Sequence, residues 1–233
     1  VNIFIASIEN NIALLTAEES RHCAKVLRMK PGEKIHVIDG KGNFYDGSLS
    51  LVSEKKCEAV IVGGPVPKRK RDYYLHLAIA PTKQADRIEW MVEKAVETGI
   101  DEISFIQCKN SERIVIRQDR IQKIAESAVK QSLQAFIPKV NPLVSFKELL
   151  AKNISDQKLI AHCSGSEKKN LKSLNFKNKS TLFLIGPEGD FTIDEITLAL
   201  ENNFSAVSLG ENRLRTETAG LYVCQAVAIL SEA

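Results

Sequence analysis

No run of apolar residues in the 233-residue chain approaches the roughly 20 positions that a membrane-spanning helix needs. The opening VNIFIASIENN lacks the basic region and cleavage site of a secretory signal, so a cytoplasmic location is the expectation. Cys23, Cys57, Cys108, Cys163 and Cys224 are odd in number, scattered and never paired as CxxC. They give neither a disulfide framework nor a zinc site and are expected to be reduced core thiols. GxxxxGK[ST] is absent, which excludes P-loop nucleotide hydrolysis, and HExxH is absent too. GKGNFYDG (40–47) begins like a dinucleotide fingerprint, but it lacks the third glycine and no helix follows, so it reads as a turn. His22, His36, His76 and His162 are dispersed, and no internal repeat or low-complexity segment is present.

The chain that remains is 44% hydrophobic and 26% charged, enough to bury a core as one large domain or two modest ones. Its net charge of +3 does not mark a nucleic-acid binder, but the basic residues cluster as RHCAKVLRMK (21–30) and KRKRD (68–72). Before residue 72, short alternating runs at 33–39, 43–52 and 56–64 are punctuated by glycine and proline, as in a small antiparallel sheet or barrel. One helix interrupts them: Thr16-Ala17-Glu18-Glu19 has capping-box spacing, and the helix it opens, EESRHCAKVLRM, carries Arg21, Lys25 and Arg28 on its surface. VPKRKRD (66–72) reads as a linker. Beyond it, strands are expected at 73–80, 102–107, 158–163, 181–186 and 204–210. Amphipathic helices lie between them, one with Ile88, Met91, Val92, Ala95 and Val96 on a single face and Gly99 as C-cap. Such alternation predicts a mainly parallel α/β sheet.

Ligands bind beyond the carboxyl ends of strands in such sheets, which directs attention to three loops: IAHCSGS, IGPEGDFT and SLGENRLRTET. In the second, Gly186 and Gly189 permit tight turning, Pro187 stiffens the loop, and Glu188 can accept hydrogen bonds from a ligand or a neighbouring loop. Thr192-Ile193-Asp194-Glu195 is a second capping box. In the third, Thr216 is placed to cap the final helix and Glu217 suits its positive end. Arg213 and Arg215 oppose the helix dipole there and call for anionic partners. The final helix, 216–231, is apolar almost all round, which fits burial by a partner as well as an enclosed core.

LIGPEGDFT followed by VSLGENRLRTETA resembles the carboxyl-terminal signature of the RsmE family, methyltransferases of N3 of a uridine in 16S ribosomal RNA. HCAKVLRMKPGEKIHVIDGKG and KQADRIEWMVEKAVETGI resemble the same family elsewhere in the chain. The resemblance implies a PUA-like RNA-binding barrel over 1–70 and a SPOUT α/β domain with a trefoil knot over 71–233. It also implies S-adenosylmethionine as cofactor, no metal, and a homodimer with active sites at its interface. Carried over, it places the cofactor among Ala161, His162, Ile185, Gly186, Pro187, Glu188, Gly189, Ser208, Leu209, Gly210 and Leu214. Arg215 is expected to stabilise charge on the uracil or hold its phosphate, and Glu217 to orient Arg215 or take the proton. Arg21, Lys25, Arg28, Lys68, Arg69, Lys70 and Arg71 are expected to contact ribosomal RNA phosphates. Asp190 departs from the glycine common in the family and is expected to point outward, and Gln134 stands where an arginine is expected. A SPOUT enzyme acting on another ribosomal or transfer RNA base, or a non-catalytic assembly factor, remains an alternative.

Overall fold

In the amino-terminal part, β1 (Ile3–Glu9), β2 (Ile12–Leu15), β3 (Lys34–Ile38), β4 (Asn43–Val52) and β5 (Cys57–Pro67) close into a barrel in the order β1-β2-β5-β4-β3. The structure, a computed structural model, describes residues 2–68, 70–152, 155–165 and 167–232. All barrel pairings are antiparallel except the closure of β1 on β3. Period-two alternation sends Phe4, Ala6, Ala13, Ile35, Val37, Leu49, Ala59 and Ile61 inward to one core. Gly40 and Gly42, both at positive φ, make the turn read from GKGNFYDG. Residues 129–137 complete this unit: Gly42 N–H donates to the Ala135 carbonyl at 3.0 Å, and the Phe136 ring fills the space that a Gly42 side chain would need.

The helix expected after Thr16 is shorter than its sequence pattern. α1 (Ala17–Arg21) passes into a π-turn at His22–Val26, and Arg28 at φ +54° ends it. The wider turn buries Cys23 and Met29 together in the barrel core while Arg21, Lys25 and Arg28 stay exposed. Only half of the capping box forms. Thr16 Oγ1 accepts from Glu19 N–H at 3.2 Å, but the buried Glu19 carboxylate pairs with Lys130 instead of returning to the cap. The linker is shorter than expected as well, because Pro67 still pairs with Asn43 in the barrel.

The second unit, 71–128 with 138–233, is built on seven strands. They are β6 (Tyr74–Ile79), β7 (Glu102–Gln107), β8 (Lys139–Ser145), β9 (Gln157–Ala161), β10 (Lys169–Asn170), β11 (Ser180–Ile185) and β12 (Ser205–Ser208). Their order is β10-β12-β9-β11-β6-β7-β8, every pairing is parallel, and the central strands are apolar on both faces. On one face, α4 (Phe146–Lys152) and α5 (Ile193–Glu201) pack Phe146, Leu149, Leu150, Ile196 and Ala199 against Ala78, Ile160, Leu182 and Leu184. The other face carries α2 (Ala85–Thr98) and α6 (Thr216–Glu232). Gly220 lets α6 approach so closely that a Cβ there would meet Ile79 Cδ1 at 2.9 Å and Leu77 Cδ2 at 3.3 Å. α2 buries the predicted face and ends at Gly99, φ +99°. α3 (Gln118–Gln131) continues from this unit into the first.

Edge strand β8, short β10 and α4 were not anticipated. Pro142 and the exposed or half-exposed residues around it hide the pattern of β8, as suits a sheet edge. Four cysteines are buried as expected, but Cys163 is exposed. Among the described residues, no helix is long and apolar enough to cross a membrane.

Candidate active site

Ala161 lies opposite Ile185 in one neighbouring strand and Val207 in the other, so β9, β11 and β12 end side by side. Their three loops open onto one cavity of about 510 Å³, within the size range of small-molecule sites. Ala161 and His162 line it from the first loop, Ile185 to Glu188 from the second, and Ser208, Leu209, Gly210, Leu214 and Arg215 from the third. Gly189 does not line it. The Gly189 carbonyl accepts from Asn110 Nδ2 at 3.1 Å, on the side of the loop that follows β7.

The second loop is held from several directions. Asp190 N–H closes a turn on the Pro187 carbonyl at 2.9 Å, and the Thr192–Glu195 capping box is complete. Glu188 Oε1 accepts from Lys83 N–H at 2.9 Å, so its carboxylate serves a neighbouring loop. Thr216 does not cap α6. Its hydroxyl donates to the Gly186 carbonyl at 3.0 Å, tying the third loop to the second, while the Arg215 carbonyl accepts the helix bond from Ala219.

The two arginines of this loop differ. Arg213 Nη2 donates to the Glu188 carbonyl at 3.4 Å. The exposed Arg215 guanidinium lines the cavity and has no hydrogen bond or ion pair among the described residues. Glu217, in the first turn of α6, is buried and faces Arg87 at 3.8 Å, not Arg215, and its Oε2 has no partner. His162 is buried with both ring nitrogens unpartnered. Burial, and then the charge of Lys168, lowers its pKa against the opposing pull of Asp190, so the ring is neutral at pH 7 and offers one donor and one acceptor.

Asp190, expected to point outward, lines the cavity, as do Cys163, Lys168 and Arg213. Arg213 was legible as part of an unexplained basic motif, whereas nothing in the local pattern marks Lys168. The expected RNA contacts are drawn from both units. Arg21, Lys25 and Arg28 are exposed on the barrel unit, and Lys68 lies over the Phe44 ring at 4.8 Å. Arg71 belongs to the second unit, where it pairs with Asp101 at 3.3 Å and lies over Tyr73. Lys70 makes contacts of its own, and Arg69 lies outside the described residues. Gln134 donates to Ser132 Oγ at 3.0 Å.

A family model of the RNA methyltransferase domain matches residues 69–228, and one of the RNA methyltransferase PUA domain matches residues 15–62. The ribosomal RNA small subunit methyltransferase E of Mesomycoplasma hyopneumoniae is 33% identical over 229 residues, which cover 94% of this chain and 95% of that protein. The chain belongs to the ribosomal RNA small subunit methyltransferase E family. The methyltransferase E of Bacillus subtilis is 27% identical over 231 residues, covering 94% of this chain and 90% of that one. Among solved structures, a probable rRNA-methyltransferase from Porphyromonas gingivalis is 38% identical, with a TM-score of 0.89, covering 100% of this chain and 99% of that one. The methyltransferase E of Neisseria gonorrhoeae, bound to S-adenosyl methionine, is 30% identical with a TM-score of 0.85, covering 99% of this chain and 98% of that one. In methyltransferase E terms, the closed barrel is the PUA-like part and the parallel sheet the SPOUT-type part.

Proposed function

We propose that this chain transfers the methyl group of S-adenosylmethionine to N3 of a uridine in the 16S RNA of the small ribosomal subunit. The observation that carries the reading is one cavity, shared by three strand-end loops, with an unpartnered arginine in its wall. The Neisseria relative bound to S-adenosyl methionine supports the choice of cofactor. The cavity fits that molecule: Ile185, Val207, Leu209 and Leu214 offer apolar surface, and His162 offers two unused ring nitrogens. Gly210, at φ +125° with open space where a Cβ would stand, lets backbone approach a ligand closely.

When bound, the cofactor supplies an electrophilic methyl whose sulfonium leaves as a neutral thioether. What remains for the protein is to align the uracil and favour loss of its N3 proton. Arg215 stabilises the negative charge that spreads over the imide as that proton leaves. Orientation of Arg215 by Glu217 is not what the geometry offers, since that carboxylate faces Arg87. Glu217 is not in the cavity wall and its unpartnered Oε2 is buried, so the N3 proton passes to water and not directly to that carboxylate.

The proposal extends to the cytoplasm as the place of action, a methyltransferase part over 71–233 carrying a trefoil knot, and an RNA-binding part over 1–70. It includes a homodimer too, because Trp90 of α2 and Tyr222 and Ile229 of α6 are exposed on the two helices that pack together. Arg21, Lys25 and Arg28, with Lys68 and Lys70, are the proposed phosphate contacts. Replacing Arg21, Lys25 and Arg28 by glutamine is expected to weaken RNA binding and flatten its salt dependence by about 3 in slope, measured by titration across salt concentrations.

The test of the reading is nucleoside mass spectrometry of small subunits, taken from cells lacking this gene, after incubation with the chain and methyl-labelled S-adenosylmethionine. Labelled N3-methyluridine is expected. A different labelled nucleoside would move the substrate to another base, and no label despite bound cofactor would overturn the reading.

A further inference from the structure

Asp190 has φ +62°, in the left-handed region that side chains seldom adopt and that glycine enters freely. Asp is among the residues that tolerate it best, because its short carboxylate can bond nearby backbone. Here both oxygens are used. Oδ1 accepts from Phe191 N–H at 2.8 Å, within its own loop. Oδ2 accepts from Cys163 N–H at 2.7 Å, in the loop that follows β9. Asn110 Nδ2 also donates to the Asp190 and Gly189 carbonyls at 3.1 Å each.

The bond to Cys163 has particular weight. Residues 162–168 supply His162, Cys163 and Lys168 to the cavity wall. Among the described residues of that segment, it is the one hydrogen bond that holds it. A carboxylate acceptor makes it one of the stronger kinds of hydrogen bond.

We propose that Asp190 is a positioning residue that latches the loop after β9 onto the loop after β11 and so sets the width of the cofactor cavity. The residue acts through backbone that it holds, so its removal loosens one wall without taking away a group that reacts. The inference rests on the reading of the cavity as the S-adenosylmethionine site.

Asp190→Gly is the informative variant, because glycine adopts the same φ without strain and the fold is retained. Two measurements on the full chain test the latch. Without ligand, hydrogen exchange at the Cys163 amide is expected to quicken about tenfold or more in the variant. Calorimetric titration with S-adenosylmethionine is expected to give a Kd about tenfold higher, with KM for the cofactor raised in step and kcat within about twofold. Asp190→Asn offers one acceptor oxygen to two N–H groups and is expected to lie between. Wild-type exchange at Cys163 in Asp190→Gly, or a wild-type Kd, would overturn the latch. Failure of the unmodified chain to bind S-adenosylmethionine would overturn the cofactor reading itself, an outcome distinct from equal binding by both proteins.

Discussion

At the amino ends of β6, β7 and β8, Glu102 accepts from Tyr74 Oη at 2.7 Å, Lys139 Nζ at 2.9 Å and Asn141 Nδ2 at 2.6 Å. Ser104 Oγ there meets both Asn141 Nδ2 and His76 Nε2 at 2.8 Å. At the carboxyl ends of β9, β11 and β12, in the same sheet, His162 has two unpartnered ring nitrogens and Arg215 has no partner among the described residues. Buried polar groups are ordinarily satisfied, so the first end reads as structure, and the buried, unpartnered His162 marks the second as capacity kept for a ligand. The titrations differ accordingly. Burial would raise Glu102, yet His76, Lys139, Asn141 and Tyr74 together hold its carboxyl down to about 2. Burial takes His76 down to about 4, against the opposing pull of Glu102.

The largest expected effect that separates the two ends is on catalysis. Arg215→Ala should lower methyl transfer about 100-fold or more while leaving Tm and cofactor binding near wild type, as read by label incorporation, calorimetry and thermal unfolding. Turnover at the wild-type rate would remove Arg215 from the mechanism.

Next comes acid. His76 binds a proton less readily folded than unfolded, so the unfolded chain holds more protons between pH 6.5 and about 4, and stability falls as pH drops through that window. The loss should reach about 3 kcal/mol, and Glu102, held low, adds to it as pH falls from 4.5 towards 2. Urea titrations across pH check this, and His76→Gln should flatten the upper part of the curve.

Glu102→Ala should then cost about 2 kcal/mol of stability at neutral pH by leaving Tyr74, Asn141 and Lys139 without their acceptor. Cofactor Kd should be unaffected. The smallest effect is the mirror of that one. His162→Ala should raise the Kd for S-adenosylmethionine about five- to tenfold and leave Tm within about 1 °C, since no protein hydrogen bond is lost.

The same contrast explains what could be read in the sequence. The three loops were legible because Gly186, Pro187 and Gly189 punctuate the strand ends and because Arg213 and Arg215 had no local reason to precede a helix. The face of α2 and the complete capping box of α5 were legible because their partners lie within one or two turns. What escaped depends on partners far along the chain. Lys130 draws Glu19 away from its cap across 111 residues, and Gly186 takes the Thr216 hydroxyl across 30. Asp190 meets Cys163 across 27, which no spacing rule anticipates. The saturated network was invisible for the same reason: Tyr74, Glu102 and Lys139 meet only because parallel strands bring their starts together.

The most direct measurement is a crystal structure of the chain grown with S-adenosylmethionine. The ligand is expected between the 186–188 and 208–214 loops, with a His162 ring nitrogen within hydrogen-bond distance and Arg215 left facing the open side of the cavity. Ligand bound elsewhere, with His162 still unpartnered and the three loops empty, would contradict it.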